Sequence, residues 1–255
     1  MFENLHAFLQ VESNPLEKQR FVHINSTVEG SGFANSSFLI HYFISSFIKQ
    51  GHKVLLVSCL HTHAQYKIVE HKMGVNLEQA TRLGNFSFLS LLDLWSDLYT
   101  GSPDEGKEKM VCSRIMEELS SRLDDSQETL GQPFLIIFDD LTALLHLGVE
   151  MVDILNMISR VKFLYPNTFT TYVTSTSQYA ELSDSGALSN QLTHWSDLKF
   201  DVNQLSTGLS KEVHGQLKIS RRIDIAAPHA PRVYHYKVTE RDLKLFAVGE
   251  SPAVL

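Results

Sequence analysis

Hydrophobic positions fall into two kinds of run along this chain. Short apolar runs, Phe21 to Ile24, Val54 to Val57 and Phe134 to Phe138, predict buried strands, and Phe86 to Leu89 and Phe169 to Thr174 read as strands from their aromatic, Thr and Val content. Between them stand helical periods: Phe38 to Ile48, apolar almost all round; about Ala64 to Met73, ended by Gly74; a third opened by Asn76 and Gln79 in capping-box spacing and ended by Gly84; Val111, Ile115, Met116, Leu119 and Leu123 on one face; and Val149 to Leu164. Strand and helix alternating at this spacing predict a mainly parallel sheet. The acidic stretch from Asp93 to Glu128 carries a Gly/Ser/Pro break at 101–106, expected as a surface loop. Past residue 193 the pattern changes to strands alone, Leu198 to Val202, Val213 to Ser220, Arg232 to Val238 and Leu243 to Val248, expected as antiparallel additions to one sheet edge, with Pro228 and Pro231 in a connecting loop. The chain therefore reads as one α/β domain over 1–255, with a core at about 20–192 and antiparallel strands at about 193–250.

Two segments carry the candidate chemistry. After the first strand, Val28-Glu29-Gly30-Ser31-Gly32-Phe33-Ala34-Asn35-Ser36-Ser37 leads into the apolar helix, the strand, Gly loop and helix order of a phosphate-binding loop. Such loops cradle phosphate with backbone N–H groups, neutralise it with a lysine and hold magnesium with a hydroxyl. Ser36 or Ser37 could supply the hydroxyl, but Asn35 or Ser36 stands where the lysine belongs, so the loop reads as degenerate. The plainer reading is that Gly30 and Gly32 permit a tight turn. The strand Phe134 to Phe138 runs into Asp139-Asp140, which is how a Walker B strand presents a magnesium ligand. Capping of the next turn is the structural alternative for the pair, and the one favoured here. The second core strand ends in Ser58-Cys59-Leu60-His61, without the glutamate that RecA-like ATPases use to activate water. Charge neutralisation of the arginine-finger type alone is worth roughly 10³ to 10⁵ in rate, so the missing lysine and glutamate point away from phosphoryl transfer.

Composition narrows the rest. The 43% hydrophobic fraction of the 255 residues supports a sizeable core, and no segment reaches the roughly 18 apolar residues of a membrane span. Met1-Phe2-Glu3-Asn4 lacks the basic start of a signal peptide, so a soluble, intracellular chain is expected. Two cysteines, Cys59 and Cys112, fit a reducing compartment. A net charge of −7 argues against a free-standing nucleic-acid binder. The Cys59-Leu60-His61-Thr62-His63 cluster has no second cysteine pair or spaced histidine to complete four ligands, so it reads as a polar strand-end turn, and no metal is expected. Lys211, Lys218, Arg221, Arg222, Arg232, Lys237, Arg241 and Lys244 gather on or near the late strands, diluted by Glu212, Asp224, Glu240 and Asp242 into a mixed-charge face.

The degenerate loop, the start Met1-Phe2-Glu3-Asn4-Leu5, the segment Phe138 to Gly148 that begins Phe-Asp-Asp-Leu-Thr, the stretch Glu212-Val213-His214-Gly215-Gln216-Leu217-Lys218-Ile219 and the ending Ser251-Pro252-Ala253-Val254-Leu255 together resemble the family of the sixth subunit of the Elongator complex. The resemblance covers the whole chain. It implies a RecA-like, P-loop-type core without catalytic activity or bound cofactor, alternating with the fourth and fifth subunits in a heterohexameric ring. That ring serves the catalytic Elongator subcomplex in wobble-uridine tRNA modification, in the cytoplasm and also the nucleus. In such rings the loop after the fifth core strand faces tRNA. Here the matching stretch after Thr174 carries Ser175, Ser177, Ser183 and Ser185, is expected to be mobile, and lies in a segment, Phe163 through Leu198, without one Lys or Arg. Partners would then supply most of the electrostatic affinity for tRNA. Two other classes stay open at this point: a working NTPase using Lys53, Lys67 or a neighbour's lysine, and a monomeric nucleotide-sensing adaptor.

Overall fold

The computed structural model describes residues 21–29, 32–33, 36–99, 107–124, 134–177, 183–205, 210, 212–222, 231–239 and 243–248. The chain divides into two compact units, Met1–Phe43 with Val173–Leu255, and Ile44–Tyr172. The division falls inside a helix and inside a strand.

The central unit, Ile44–Tyr172, is a parallel α/β layer. Its strands are β3 (Lys53–Ser58), β4 (Phe86–Ser90), β5 (Phe134–Asp139) and the first half of β6 (Phe169–Ser177), in the order β6-β5-β3-β4, with neighbouring strands parallel. Val54 to Val57 and Leu135 to Phe138 are at most 1% exposed, which explains why these strands read as unbroken apolar runs. The helix α1 (Ser37–Lys49) ends where Gly51 takes φ +78°, and α2 (His63–Lys72) and α3 (Leu77–Arg82) end at Gly74 and Gly84 with φ +77° and +74°. These left-handed positions are ones an L side chain adopts at a cost, which is why the glycines mark the helix ends so reliably. Asn76 caps α3 by accepting the Gln79 N–H at 3.0 Å.

Two helices here escape the sequence reading. Residues expected as an acidic surface stretch form α4 (Leu91–Tyr99), which buries Leu91 and Leu94, before α5 (Lys107–Asp124); 101–106 lie outside the described residues. The short α6 (Thr142–His146) follows β5 directly, and α7 (Met151–Leu164) follows it. The stripe Val111, Ile115, Met116, Leu119 and Leu123 is buried, as are Ile154, Ile158 and Val161 of α7. Each such Leu or Ile contributes roughly 1.5–3 kcal/mol by leaving water.

The second unit holds β1 (Phe21–Glu29), β2 (Gly32–Phe33), the later half of β6, α8 (Asp184–Trp195), β7 (Leu198–Asn203), β8 (Gly215–Arg221), β9 (Arg232–Val238) and β10 (Leu243–Ala247). β7 pairs β1 in parallel, Val22 opposite Leu198 through Ser26 opposite Val202, so it belongs to the parallel sheet and not to the antiparallel addition expected of it. Only β8, β9 and β10 add antiparallel. The reason is α8, which supplies the crossover a parallel connection requires. Its Ser, Gly and Asn content hid it, yet Leu188 and Leu192 form a buried i, i+4 pair. On the apolar face of these strands Phe43 meets Phe200 at 6.1 Å and Phe38 meets Tyr236 at 5.0 Å. Pro231 is exposed before β9, and Pro228 lies outside the described residues.

Candidate functional site

The acid end of β5 is built within the central unit from three consecutive turns. β3 ends at Ser58, whose hydroxyl donates to the His61 carbonyl at 2.8 Å and accepts the His61 N–H at 3.0 Å. This closes the Cys59 to His61 turn and makes it the polar strand-end turn expected of it. Helix α2 then starts at Thr62, whose backbone N–H donates to Gln65 Oε1 at 2.8 Å. One turn on, Tyr66 points its hydroxyl at Asp139 and donates to Oδ2. Tyr66 is 2% and Asp139 4% exposed.

Asp140, 3% exposed, is engaged differently. Its Oδ1 accepts the Thr142 backbone N–H at 2.9 Å and the Thr142 hydroxyl as well, the local loop by which an Asp starts a short helix. Beside them the Cys59 backbone N–H donates to the Asp139 carbonyl. Burial, then the Asp139 and Asp140 charges, hold the Cys59 thiol well above its usual range. Burial and Asp139 likewise push the Tyr66 phenol up, so it stays a proton donor.

Of the glycine-bearing stretch after the first strand, the described part pairs back on β1. β1 continues to Glu29, and Gly32 and Phe33 turn back on it in antiparallel register, Glu29 opposite Gly32 and Val28 opposite Phe33. Gly30 and Asn35 lie outside the described residues. Gly32 is used as a strand-pairing residue. Ser36 is buried just ahead of α1 and its carbonyl accepts the Leu39 N–H at 2.9 Å; Ser37, half-buried, is the first helical residue.

The serine stretch after Thr174 is also not one mobile loop. β6 carries Ser175 and Ser177 to its end, and Ser183 is the N-cap of α8, accepting the Gly186 N–H at 3.3 Å, with Ser185 in the first turn of that helix. Residues 178–182 lie outside the described residues. Ser183 and Ser185 hydroxyls lie 2.9 Å apart. The strand extends because Thr171, Thr174 and Thr176 are buried in it, which gives its β-branched content a packing role.

Those hydroxyls belong to a polar cluster that the sequence did not disclose. His23 on β1 is fully buried, its Nδ1 3.1 Å from Thr193 Oγ1 and its Nε2 2.9 Å from Thr174 Oγ1. Thr174 Oγ1 is also 2.9 Å from Asn25 Oδ1, which Thr176 reaches at 3.2 Å, and Ser26 meets Ser175 at 3.1 Å. The Thr174 and Thr176 hydroxyls both donate to Asn25 Oδ1, the Thr193 hydroxyl donates to the Ser189 carbonyl, and the two ring nitrogens of His23 bridge Thr174 and Thr193. Burial, then Lys199, lowers the His23 pKa to about 3, which keeps this imidazole neutral.

On the late strands, Lys199 pairs with Asp201 at 2.8 Å and Lys237 with Glu212 at 2.7 Å, a mixed-charge arrangement; Lys211 and Arg241 lie outside the described residues. Among the described residues no helix is long and apolar enough to cross a membrane.

The arrangement defines a class: an α/β chain with a mostly parallel sheet, antiparallel strands at its C-terminal side, and paired strand-end carboxylates held by the chain's own donors. Residues 2–240 match the family model described as "Elongation complex protein 6". The chain is 32% identical to Elongator complex protein 6 of Xenopus laevis over all of both chains, and 31% identical to that of Homo sapiens over 87% of this chain and 89% of the relative. The fish relative, from Danio rerio, is 27% identical over the full length of both. This chain belongs to the Elongator complex protein 6 family.

Proposed function

We propose that this chain is a non-catalytic subunit of the Elongator complex. In this reading its parallel layer is a RecA-like core whose phosphate loop has been dismantled, and it takes its place with the fourth and fifth subunits in a heterohexameric ring. The ring serves the catalytic subcomplex by handling tRNA during wobble-uridine modification, in the cytoplasm and the nucleus. The observation that carries the reading is the family match across residues 2–240. The internal hydrogen bonds of Asp139 and Asp140 agree with it.

The basic residues support a secondary role toward RNA. On the late strands Lys199 and Lys237 are paired to carboxylates, and the polar cluster around β6 offers mainly hydroxyls. Hydroxyls position phosphate without releasing counterions. The partners therefore supply most of the salt-dependent affinity.

Native mass spectrometry of the chain co-expressed with the fourth and fifth subunits tests the assembly. A six-membered species that disappears when this chain is omitted is the expected result, with no ATP turnover that depends on Asp139. A stable monomer that ignores both partners overturns the ring, and turnover abolished by Asp139→Ala overturns the non-catalytic reading.

A further inference from the structure

A RecA-like acid end implies a nucleotide-bound magnesium ion, and the residues at the end of β5 do not fit one. A metal-ligating carboxylate must turn an oxygen toward the ion. Here one oxygen of each carboxylate is already engaged, Asp139 Oδ2 by the Tyr66 phenol and Asp140 Oδ1 by both donors of Thr142, and with all four residues at most 4% exposed the other oxygens have no access to the hydrated ion that magnesium brings. We propose that Tyr66 closes the acid end: its hydroxyl occupies the position on Asp139 that a metal ion or metal-bound water would take, so the carboxylate is held by an internal donor in place of a ligand.

The phenol is delivered by a rigid device. Ser58 ties both the N–H and the carbonyl of His61, Thr62 and Gln65 fix the first turn of α2, and the His61 ring lies edge-on to the Tyr66 ring at 6.1 Å. On its other side Tyr66 packs against Phe88 of β4 at 5.9 Å. Moving the hydroxyl off Asp139 means breaking the β3–α2 turn or the aromatic contact, so the closure is built into the fold. A buried carboxylate with no donor is costly, and removing one partner leaves that cost unpaid. A chain that has lost its nucleotide therefore needs a replacement donor, and α2 supplies it. The proposal rests on the non-catalytic reading and adds to it how the acid end survives without a ligand.

The test uses the full-length chain in the assembly in which it purifies, as wild type, Tyr66→Phe, Asp139→Asn and the double variant. Thermal unfolding is followed without additive and with Mn²⁺ alone, ATP alone and Mn²⁺ with ATP. The expected results are a wild-type melting temperature that none of these probes moves, single variants lowered by a few degrees, and a double variant that loses less than the sum of the two singles, because the contact that Asp139→Asn weakens is the one that Tyr66→Phe removes. A rise with Mn²⁺ or Mn²⁺–ATP in wild type that Asp139→Asn abolishes overturns the closure, and so do additive losses in the double variant. If Tyr66→Phe does not fold, the metal response of wild type against Asp139→Asn decides alone. Native mass measured on the same samples separates the two claims. An assembled ring whose Asp139 takes Mn²⁺ overturns the closure and spares the ring, whereas a chain that joins no ring while Asp139 stays closed overturns the ring and spares the closure.

Discussion

The two units bury polar clusters of opposite character. In the central unit the cluster is acidic: Asp139 and Asp140 lie in the core beside a thiol held protonated, and each carboxylate has a dedicated donor, Tyr66 or Thr142. In the other unit the cluster is neutral: one imidazole, one amide and a set of hydroxyls spread hydrogen bonds over β1, β6 and α8. A charge concentrates the energetics on one or two contacts, because an uncompensated buried charge is expensive. A neutral network distributes them, since each hydroxyl can turn to another acceptor. The first should therefore be brittle to substitution and the second tolerant of it.

The largest expected effect is at the acid end. Asp139→Ala removes the buried carboxylate that accepts from Tyr66 and opens a small cavity, and should cost about 3 kcal/mol in urea unfolding. Thr174→Val in the neutral cluster should cost only about 1 kcal/mol, since Asn25 Oδ1 loses one donor while the Thr176 hydroxyl still serves it. Equal losses would abolish the distinction between the two clusters.

Close packing in the second unit gives the next effect. A Cβ on Gly215 would sit 2.4 Å from the Asn203 carbonyl oxygen and 2.8 Å from the Tyr236 ring. The first neighbour is backbone of the paired strand, so it cannot step aside. Gly215→Ala should lower stability by about 2 to 3 kcal/mol, read by the same denaturation, and it explains in physical terms why Gly stands inside the Val-His-Gly-Gln-Leu stretch.

The neutral cluster has a pH signature of its own. An unfolded histidine takes up its proton near pH 6.5, whereas His23 in the fold resists until about 3. Between those values the unfolded chain binds more protons, so His23 contributes a stability loss as pH falls from 6.5 toward 3. The slope from this one group approaches about 1.4 kcal/mol per pH unit. Urea midpoints measured across that range should fall less steeply in His23→Gln than in wild type. Parallel curves would mean that His23 is not held neutral.

The smallest effect serves as the baseline. Arg114 and Glu117 on α5 form a 2.9 Å ion pair with both side chains about half exposed or more, 49% and 65%. Arg114→Ala should change stability by only about 0.3 kcal/mol, and less in high salt.

Much of this architecture is legible without coordinates. The unbroken apolar runs of β3 and β5 announce strands buried on both faces, and Gly51, Gly74 and Gly84 mark helix ends because few other residues accept the left-handed turn. The Asp-x-Thr spacing at 140 and 142 already permits the local cap that the fold shows. Local chemistry of this kind depends on neighbours in sequence, so the sequence determines it.

What only the tertiary structure decided is who faces whom across long separations. Tyr66 and Asp139 are 73 positions apart and His23 and Thr174 are 151 apart, and no spacing or composition rule links either pair. The direction of β7 turned on α8, a helix of small and polar residues whose only apolar signal is Leu188 and Leu192. The Gly-rich stretch became a hairpin because Gly32 and Phe33 found pairing partners on β1. A periodic pattern fixes which face of an element is buried; which residues meet there is set by pairing register and packing, energies that belong to no single segment of the chain.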